Sequence, residues 1–195
     1  MTTTTAPALA NRVLPRSRAA TVLAIVGFAA FTALAAQISF RIPPLEVPFT
    51  GQTMAVLLTG GVLGARNGAA SMLLYVLAGA VGLPVYTEQS SGFHHLSGAT
   101  GGYLIGFIVA AWLVGRLAER RWDRRIPSGV VSFVIGSLVI YAFGIAGLMI
   151  NLDMSFADAI ANGVVPFLIW DALKALIAGS LLPVTWRLVG EPGKS

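Results

Sequence analysis

The sequence predicts an all-α integral membrane protein: six transmembrane helices, both termini cytoplasmic, with structured extracytoplasmic loops between helices 1 and 2 and between helices 3 and 4. Three observations carry this. Of 195 residues, 56% are hydrophobic and only 11% charged, against about 25% charged in a soluble domain, and the mean hydropathy is +0.80. The chain has long charge-free runs, at 19–40, 47–65, 67–87, 89–115 and 126–152, and a last apolar region at 159–186 broken only by Asp171 and Lys174. A helical span needs about 20 apolar residues. The third observation is where the basic residues fall, and it fixes the helix count.

Residues 1–11, "MTTTTAPALAN", form a low-complexity tail predicted to be disordered. Residues 12–195 form one membrane domain. The first helix covers 19–40 and is too long for a signal-peptide core, which is about 7–15 residues. "RIPPLEVPFTGQT" (41–53) carries three prolines and is read as a loop. The second helix, 53–65, is short, and Arg66-Asn67-Gly68 is predicted to turn into a third over 68–82. A long Gly- and Ser-rich loop (82–102) follows. Helices over 100–118 and 128–150, a short amphipathic piece at 155–162 and a last helix over 164–188 complete the fold.

With the N-terminus inside, eleven of the thirteen Lys and Arg residues fall on the cytoplasmic side, Arg41 alone falls outside, and Lys174 lies within a span. Cytoplasmic loops are enriched in Lys and Arg, and five or seven helices would spoil the alternation. The net charge of +5 is thus a topology signal. The absence of cysteine excludes disulfides and thiolate chemistry. Irregular backbone at membrane depth is tolerated where it lines a cavity. Two short helices beside two long loops therefore predict loops that dip inward and cap something.

"LIWDALKA" (168–175) places Asp171 and Lys174 three apart, on one helical face. Counted from Gly163 at about 1.5 Å per residue, Asp171 lies roughly 12 Å along the last helix. Each charge costs about 2.5–3.5 kcal/mol to insert at the centre of a span. Such a pair is either a self-neutralising structural ion pair or a buried polar site. A small anion bearing polar ring groups suits the site, with Lys174 for a carboxylate and Asp171 for N–H donors.

In "VPFTGQT" (47–53), Thr50, Gln52 and Thr53 offer hydrogen bonds, and the competing reading is a rigid turn. Gly98, Gly102 and Gly106 form a small-residue stripe that points to close helix packing. His94-His95 are adjacent in a loop, a poor arrangement for a metal. Ala29 and Ala33, like Ala20 and Ala24, are small-xxx-small pairs, read as internal packing or as a docking face for another membrane protein. The terminal "GKS" lacks the first glycine of a phosphate-binding loop, since Leu188 stands there. No arrangement of catalytic residues argues for an enzyme.

Four motifs, in order, resemble the BioY family. "VPFTGQT" is similar to its VPxTxQT. "AGAVGLPVYT" (78–87) and "LSGATGGYLIGF" (96–107) are similar to its GxxGLPVF and LxGPTGGYLxGF. "WDALKA" (170–175) is similar to its GDxxKxxLA. The stretch so covered runs from about Ala29 to Leu181. The resemblance implies a biotin-binding S component of an energy-coupling factor transporter in the cell membrane of a prokaryote. It implies as partners a transmembrane coupling protein and two cytoplasmic ATPase subunits, and no cofactor. On the matching positions it implies substrate contacts from Asp171, Lys174, Gln52, Thr50, Thr53, Tyr86 and Tyr103, and docking through Ala29 and Ala33; Ser90, where some members have a ligand-contacting Asn, is added to the substrate contacts. The chain departs from the family at Ala99 (for Pro), Glu88-Gln89 (for Gly-Gly) and Trp170 (for Gly). The alternative function is a stand-alone proton-coupled transporter of a small anionic vitamin, with Asp171 as proton site. A ligand-free membrane scaffold is the third reading.

Overall fold

The computed structural model describes residues 8–13, 15 and 17–190 of the chain. Its helices are α1 (Ala10–Val13), α2 (Arg18–Gln37), α3 (Gln52–Leu63), α4 (Ala65–Ala80), α5 (Gly101–Ala118), α6 (Ile126–Leu152), α7 (Phe156–Gly163) and α8 (Leu168–Val189). Between α2 and α3, strands β1 (Ser39–Phe40) and β2 (Phe49–Thr50) pair antiparallel, Ser39 opposite Thr50. Among the described residues, α2, α5, α6 and the segment Phe156–Val189 are long and apolar enough to cross a membrane. The helices α3 and α4 are shorter, with 12 and 16 residues.

The surface is apolar, unlike that of a soluble protein, and several polar groups are buried beside an apolar core. Leu23, Leu34, Leu138, Ile150, Ile169 and Leu188 are exposed, while Thr32, Gln52, Thr59, Ser71, Ser132, Asp123 and Asp171 are buried. An apolar exterior is matched to lipid, and buried polar groups must then find partners inside. They do: among the described residues no buried side-chain nitrogen or oxygen lacks a hydrogen bond.

Several local features differ from the sequence reading. The turn between α3 and α4 is made by Gly64, not by Arg66-Asn67-Gly68, which are helical. Gly64 has φ +80° and ψ 177°, a conformation open to glycine and hardly to other residues. The first helix ends at Gln37 rather than residue 40, because the chain turns at Ile38 into β1. The 41–53 segment is thus partly a hairpin, a pairing that prolines 43, 44 and 48 obscured. The last helix starts at Leu168, after a break at Val164 and a tight turn over Val165–Phe167 that contains Pro166. Asp171 therefore stands in the first turn of α8, and a count from Gly163 does not measure its depth. There the helix dipole favours its negative charge. Of the predicted tail, residues 1–7 lie outside the described residues, whereas Ala8, Leu9 and Ala10 are buried. The terminal "GKS" also lies outside them.

The glycine stripe packs helices. A Cβ on Gly102 would meet the Phe143 carbonyl and Gly147, and one on Gly106 would meet Phe143 and Ile140. The α5 and α6 backbones thus approach each other closely, and the N-terminal turns of α5 are locked in place. Gly98 lies before α5, in the loop.

Candidate functional site

A cavity opens between the β1–β2 hairpin, the loop from Gly82 to Thr100, and the helices α3, α5, α6 and α8. It is lined by Arg41, Val47, Pro48, Thr50, Gln52, Thr53, Tyr86, Thr87, Ser90, His95, Thr100, Tyr103, Leu104, Phe107, Tyr141, Phe167, Asp171 and Lys174. Its atom-free space is about 730 Å³ including the open mouth, within the range of roughly 300–1,000 Å³ for small-molecule sites. All eight residues expected to contact substrate line this one cavity.

Its polar centre is built around Asp171. The Lys174 ammonium donates to Asp171 Oδ1 at 2.8 Å, to the Thr50 carbonyl at 2.6 Å and to Thr53 Oγ1 at 3.1 Å. The Thr53 hydroxyl donates onward to Asp171 Oδ1 at 3.1 Å. The Tyr141 hydroxyl donates to Asp171 Oδ2 at 2.6 Å. An ammonium has three donors, so Lys174 is fully engaged by the protein. A carboxylate has about four lone-pair sites, so Asp171, accepting three bonds, keeps one free on Oδ2. The ion-pair reading of the two charges and the site reading are therefore compatible. Lys174 neutralises and orients Asp171, and Asp171 keeps capacity for an N–H donor facing the cavity.

The loops are tied down around this centre. Gln52 Nε2 donates to the Tyr75 hydroxyl at 2.6 Å, and its Oε1 accepts from Thr87 at 3.2 Å. Gln52 thus links α3 to α4 and to the loop. The Tyr86 hydroxyl donates to the Val76 carbonyl at 2.6 Å, and its backbone N–H to the Ser90 carbonyl at 3.1 Å. Burial pushes the Tyr86 phenol above its ordinary pKa. The Ser90 hydroxyl donates to the Thr87 carbonyl at 2.7 Å, and the Tyr103 hydroxyl to the Gly163 carbonyl at 2.7 Å. Gln52, Tyr86, Ser90 and Tyr103 are thus also framework residues. Phe49 stacks on Phe40 at 4.9 Å and meets Phe167 at 4.4 Å, closing the hairpin over α8.

Several lining residues escaped the sequence reading. Tyr141 is one polar ring inside a long apolar run, with no motif around it. Phe167 had no signal, and Thr100 lay inside the "LSGATGGYLIGF" motif without standing out as a site residue. Arg41 was counted only as an outside charge. His95 was weighed only for metal binding, yet it lines the cavity and packs against Tyr86 at 5.4 Å. Burial, then His94 and Arg41, hold its pKa below the ordinary histidine value.

The alanine pairs of α2 separate. Ala29 is buried and Ala33 half-buried, on the side of α2 that meets the chain's own α4 through Ser71 and Met72. The internal-packing reading fits Ala29. Ala20 and Ala24 instead line an open apolar groove with Leu23, Gly27, Phe28, Phe31, Leu58 and Val62.

The chain matches the model of the BioY family over residues 5–191. It is 39% identical over 151 residues to a protein of Thermotoga maritima named "Biotin transporter BioY", covering 77% of this chain and 86% of that one. A protein of the same name from Rhizobium etli is 36% identical over 153 residues, covering 72% of this chain and 81% of the other. Among solved structures, one described as the S-component for biotin from an ECF-type ABC transporter matches with a TM-score of 0.78. It is 21% identical and covers 87% of this chain and 92% of that one, so that likeness bears on the fold. With the family's model matched over nearly the whole chain, this multi-pass membrane protein belongs to the BioY family.

Proposed function

We propose that this chain is a biotin-uptake protein, the membrane-embedded substrate-binding component of an energy-coupling factor transporter. The observation that carries this is the cavity. It joins one buried acceptor, Asp171 Oδ2, to walls of Val47, Leu104, Phe107 and Phe167. Biotin has a ureido head with N–H donors, an apolar bicycle and chain, and a carboxylate. A mostly apolar cavity with few placed polar groups suits it. Asp171 accepts from a ureido N–H. Lys174, with Thr53 and Tyr141, keeps that carboxylate aimed. Thr50, Gln52, Tyr86, Ser90 and Tyr103 shape the pocket and hold its loops.

The topology in this reading is six spans with both termini cytoplasmic. The distribution of Lys and Arg supports it, as do four long apolar helices with two shorter ones between them. The hairpin and the 82–100 loop then face outward and form the mouth, in the cell membrane of a prokaryote. ATP is hydrolysed by two cytoplasmic ATPase subunits, and a transmembrane coupling protein transmits the resulting conformational change. That protein docks on α2, through the open groove of Ala20 and Ala24 and the half-buried Ala33, while Ala29 packs inside the chain.

Calorimetric titration of the purified protein in detergent tests the substrate. Biotin binding at sub-micromolar concentration is expected. The Lys174→Ala and Asp171→Ala variants should each lose most of that affinity. No binding by the unaltered protein overturns biotin as substrate. Unchanged affinity in both variants overturns the site.

A further inference from the structure

We infer that Arg41, held at the cavity mouth by Glu88, recognises the carboxylate of the bound substrate. This rests on the biotin reading above and deepens it. Two cations line the cavity, Arg41 and Lys174. Lys174 has its three donors engaged by Thr50, Thr53 and Asp171. It has nothing left for a second anion unless one of those bonds is broken. Arg41 uses only Nε, which donates to Glu88 Oε1 at 2.8 Å. The four N–H groups on its two terminal nitrogens have no hydrogen-bond partner among the described residues, out of the five donors that a guanidinium carries. Those two nitrogens present the planar fork that matches a carboxylate.

The exposure of the two cations agrees with this division. The Arg41 side chain is 50% exposed and that of Lys174 is 23% exposed. A ligand with a neutral polar head and an anionic tail places the head by Asp171 and the tail at the mouth, where its charge keeps some hydration. The reverse orientation would put an anion against the Asp171 carboxylate.

Backbone strain shows that the placement of Arg41 is built. Glu88 and Gln89 have φ of 58° and 54°, the left-handed region that residues with a Cβ enter at a cost. Such strain persists where surrounding contacts over-determine it. Here the Glu88 carboxylate grips Arg41 across the two loops, and the Gln89 N–H donates to Gln37 Oε1 at 3.0 Å. Glu88 is a positioning residue, while Arg41 touches the ligand.

The test compares biotin with its uncharged primary amide, by titration on the full chain in detergent. The unaltered protein should prefer biotin to the amide by at least tenfold. Arg41→Ala should weaken biotin about tenfold and leave the amide within twofold, erasing the preference. Arg41→Lys should restore part of it, because charge returns without the fork. Glu88→Ala should reduce the preference by a few fold. A preference that survives Arg41→Ala overturns the inference, and so does an equal loss for both ligands, which would make Arg41 a brace between loops. If the unaltered protein binds neither ligand, the biotin reading fails and this inference falls with it. Retained biotin binding with unaltered selectivity removes this inference alone.

Discussion

Two carboxylates lie buried near the two ends of α8. Asp171 is in its first turn, 6% exposed. Asp123, 2% exposed, reaches Trp186 in the last turn from the turn between α5 and α6. Each has a basic neighbour: Lys174 at 2.8 Å for one, Arg124 at 3.2 Å for the other. Each also accepts from an aromatic donor, the Tyr141 hydroxyl or the Trp186 indole N–H. Burial and partners do not separate them, but access does. Asp171 lines a cavity, while Asp123 lies beneath the Arg124 guanidinium, itself stacked 3.2 Å above the Trp186 ring. The first arrangement can exchange a bond with a ligand. The second clamps the α5–α6 turn to the end of α8. A buried charge marks a site when it faces space, and a staple when it faces packing.

The comparison breaks most easily at Asp171. Asp171→Ala leaves the Lys174 ammonium without its anion, and breaking a buried pair costs about 3–5 kcal/mol. The low end is expected, because Thr50 and Thr53 remain as acceptors. Biotin affinity should fall at least ~100-fold, about 2.8 kcal/mol at 1.4 kcal/mol per tenfold. Titration and thermal unfolding in detergent should therefore both move. Asp123→Ala should move only one of them. It leaves the Trp186 N–H without its acceptor and removes one of the contacts of Arg124, at a cost of about 2 kcal/mol in stability. Its biotin affinity should stay within twofold. A large loss of affinity there would mean that the two ends of α8 are coupled, and the distinction would collapse.

These two residues also show how far the sequence could be read. Asp171 and Lys174 stood out because they interrupt an apolar run, where each charge needs an explanation. Asp123 sits in "ERRWDRR", where charge is abundant and a single carboxylate does not stand out. A linear pattern reveals a charge in an apolar setting. It does not reveal that Trp186, some sixty positions later, folds back to bury it. Helix positions were legible because apolar runs bounded by Gly, Pro and Arg carry them directly. The β1–β2 hairpin was not, since two-residue strands leave no periodicity. Tyr141 was hidden for a similar reason: a hydroxyl on an aromatic ring is a weak signal until a carboxylate is placed beside it. The family motifs gathered Thr50, Gln52, Thr53, Tyr86 and Tyr103 around one cavity, but not Arg41, which precedes the first motif.

A milder pair of substitutions sharpens the contrast by removing one donor from each carboxylate while keeping an aromatic ring. Tyr141→Phe deletes the 2.6 Å bond to Asp171. Hydrogen bonds to charged groups contribute about 1.5–3 kcal/mol. Biotin affinity should drop about tenfold as Asp171 loses its aim. An unchanged dissociation constant would place Tyr141 outside the recognition network.

The smallest effect is expected from Trp186→Phe, and its pH dependence separates two causes. The substitution removes the N–H to Asp123 and also part of a buried ring, so about 1–2 kcal/mol of stability is lost at neutral pH. Burial pushes the Asp123 carboxyl above its ordinary value of 3.8, while Trp186 and Arg124 pull it partly back. Between that ordinary value and the raised one, the folded chain holds more protons than the unfolded chain. This contribution to stability is fully present below the unfolded pKa and is lost as pH rises through the folded pKa. Without the indole donor the folded pKa rises further, so more is lost on going to neutral pH. The cavity cost, by contrast, does not depend on pH. The Tm deficit of Trp186→Phe against the unaltered protein should therefore be larger at pH 7.5 than near pH 4.5, with biotin affinity unchanged at neutral pH. Equal deficits at the two pH values would assign the whole effect to lost ring volume, and the indole N–H would then contribute nothing to holding Asp123.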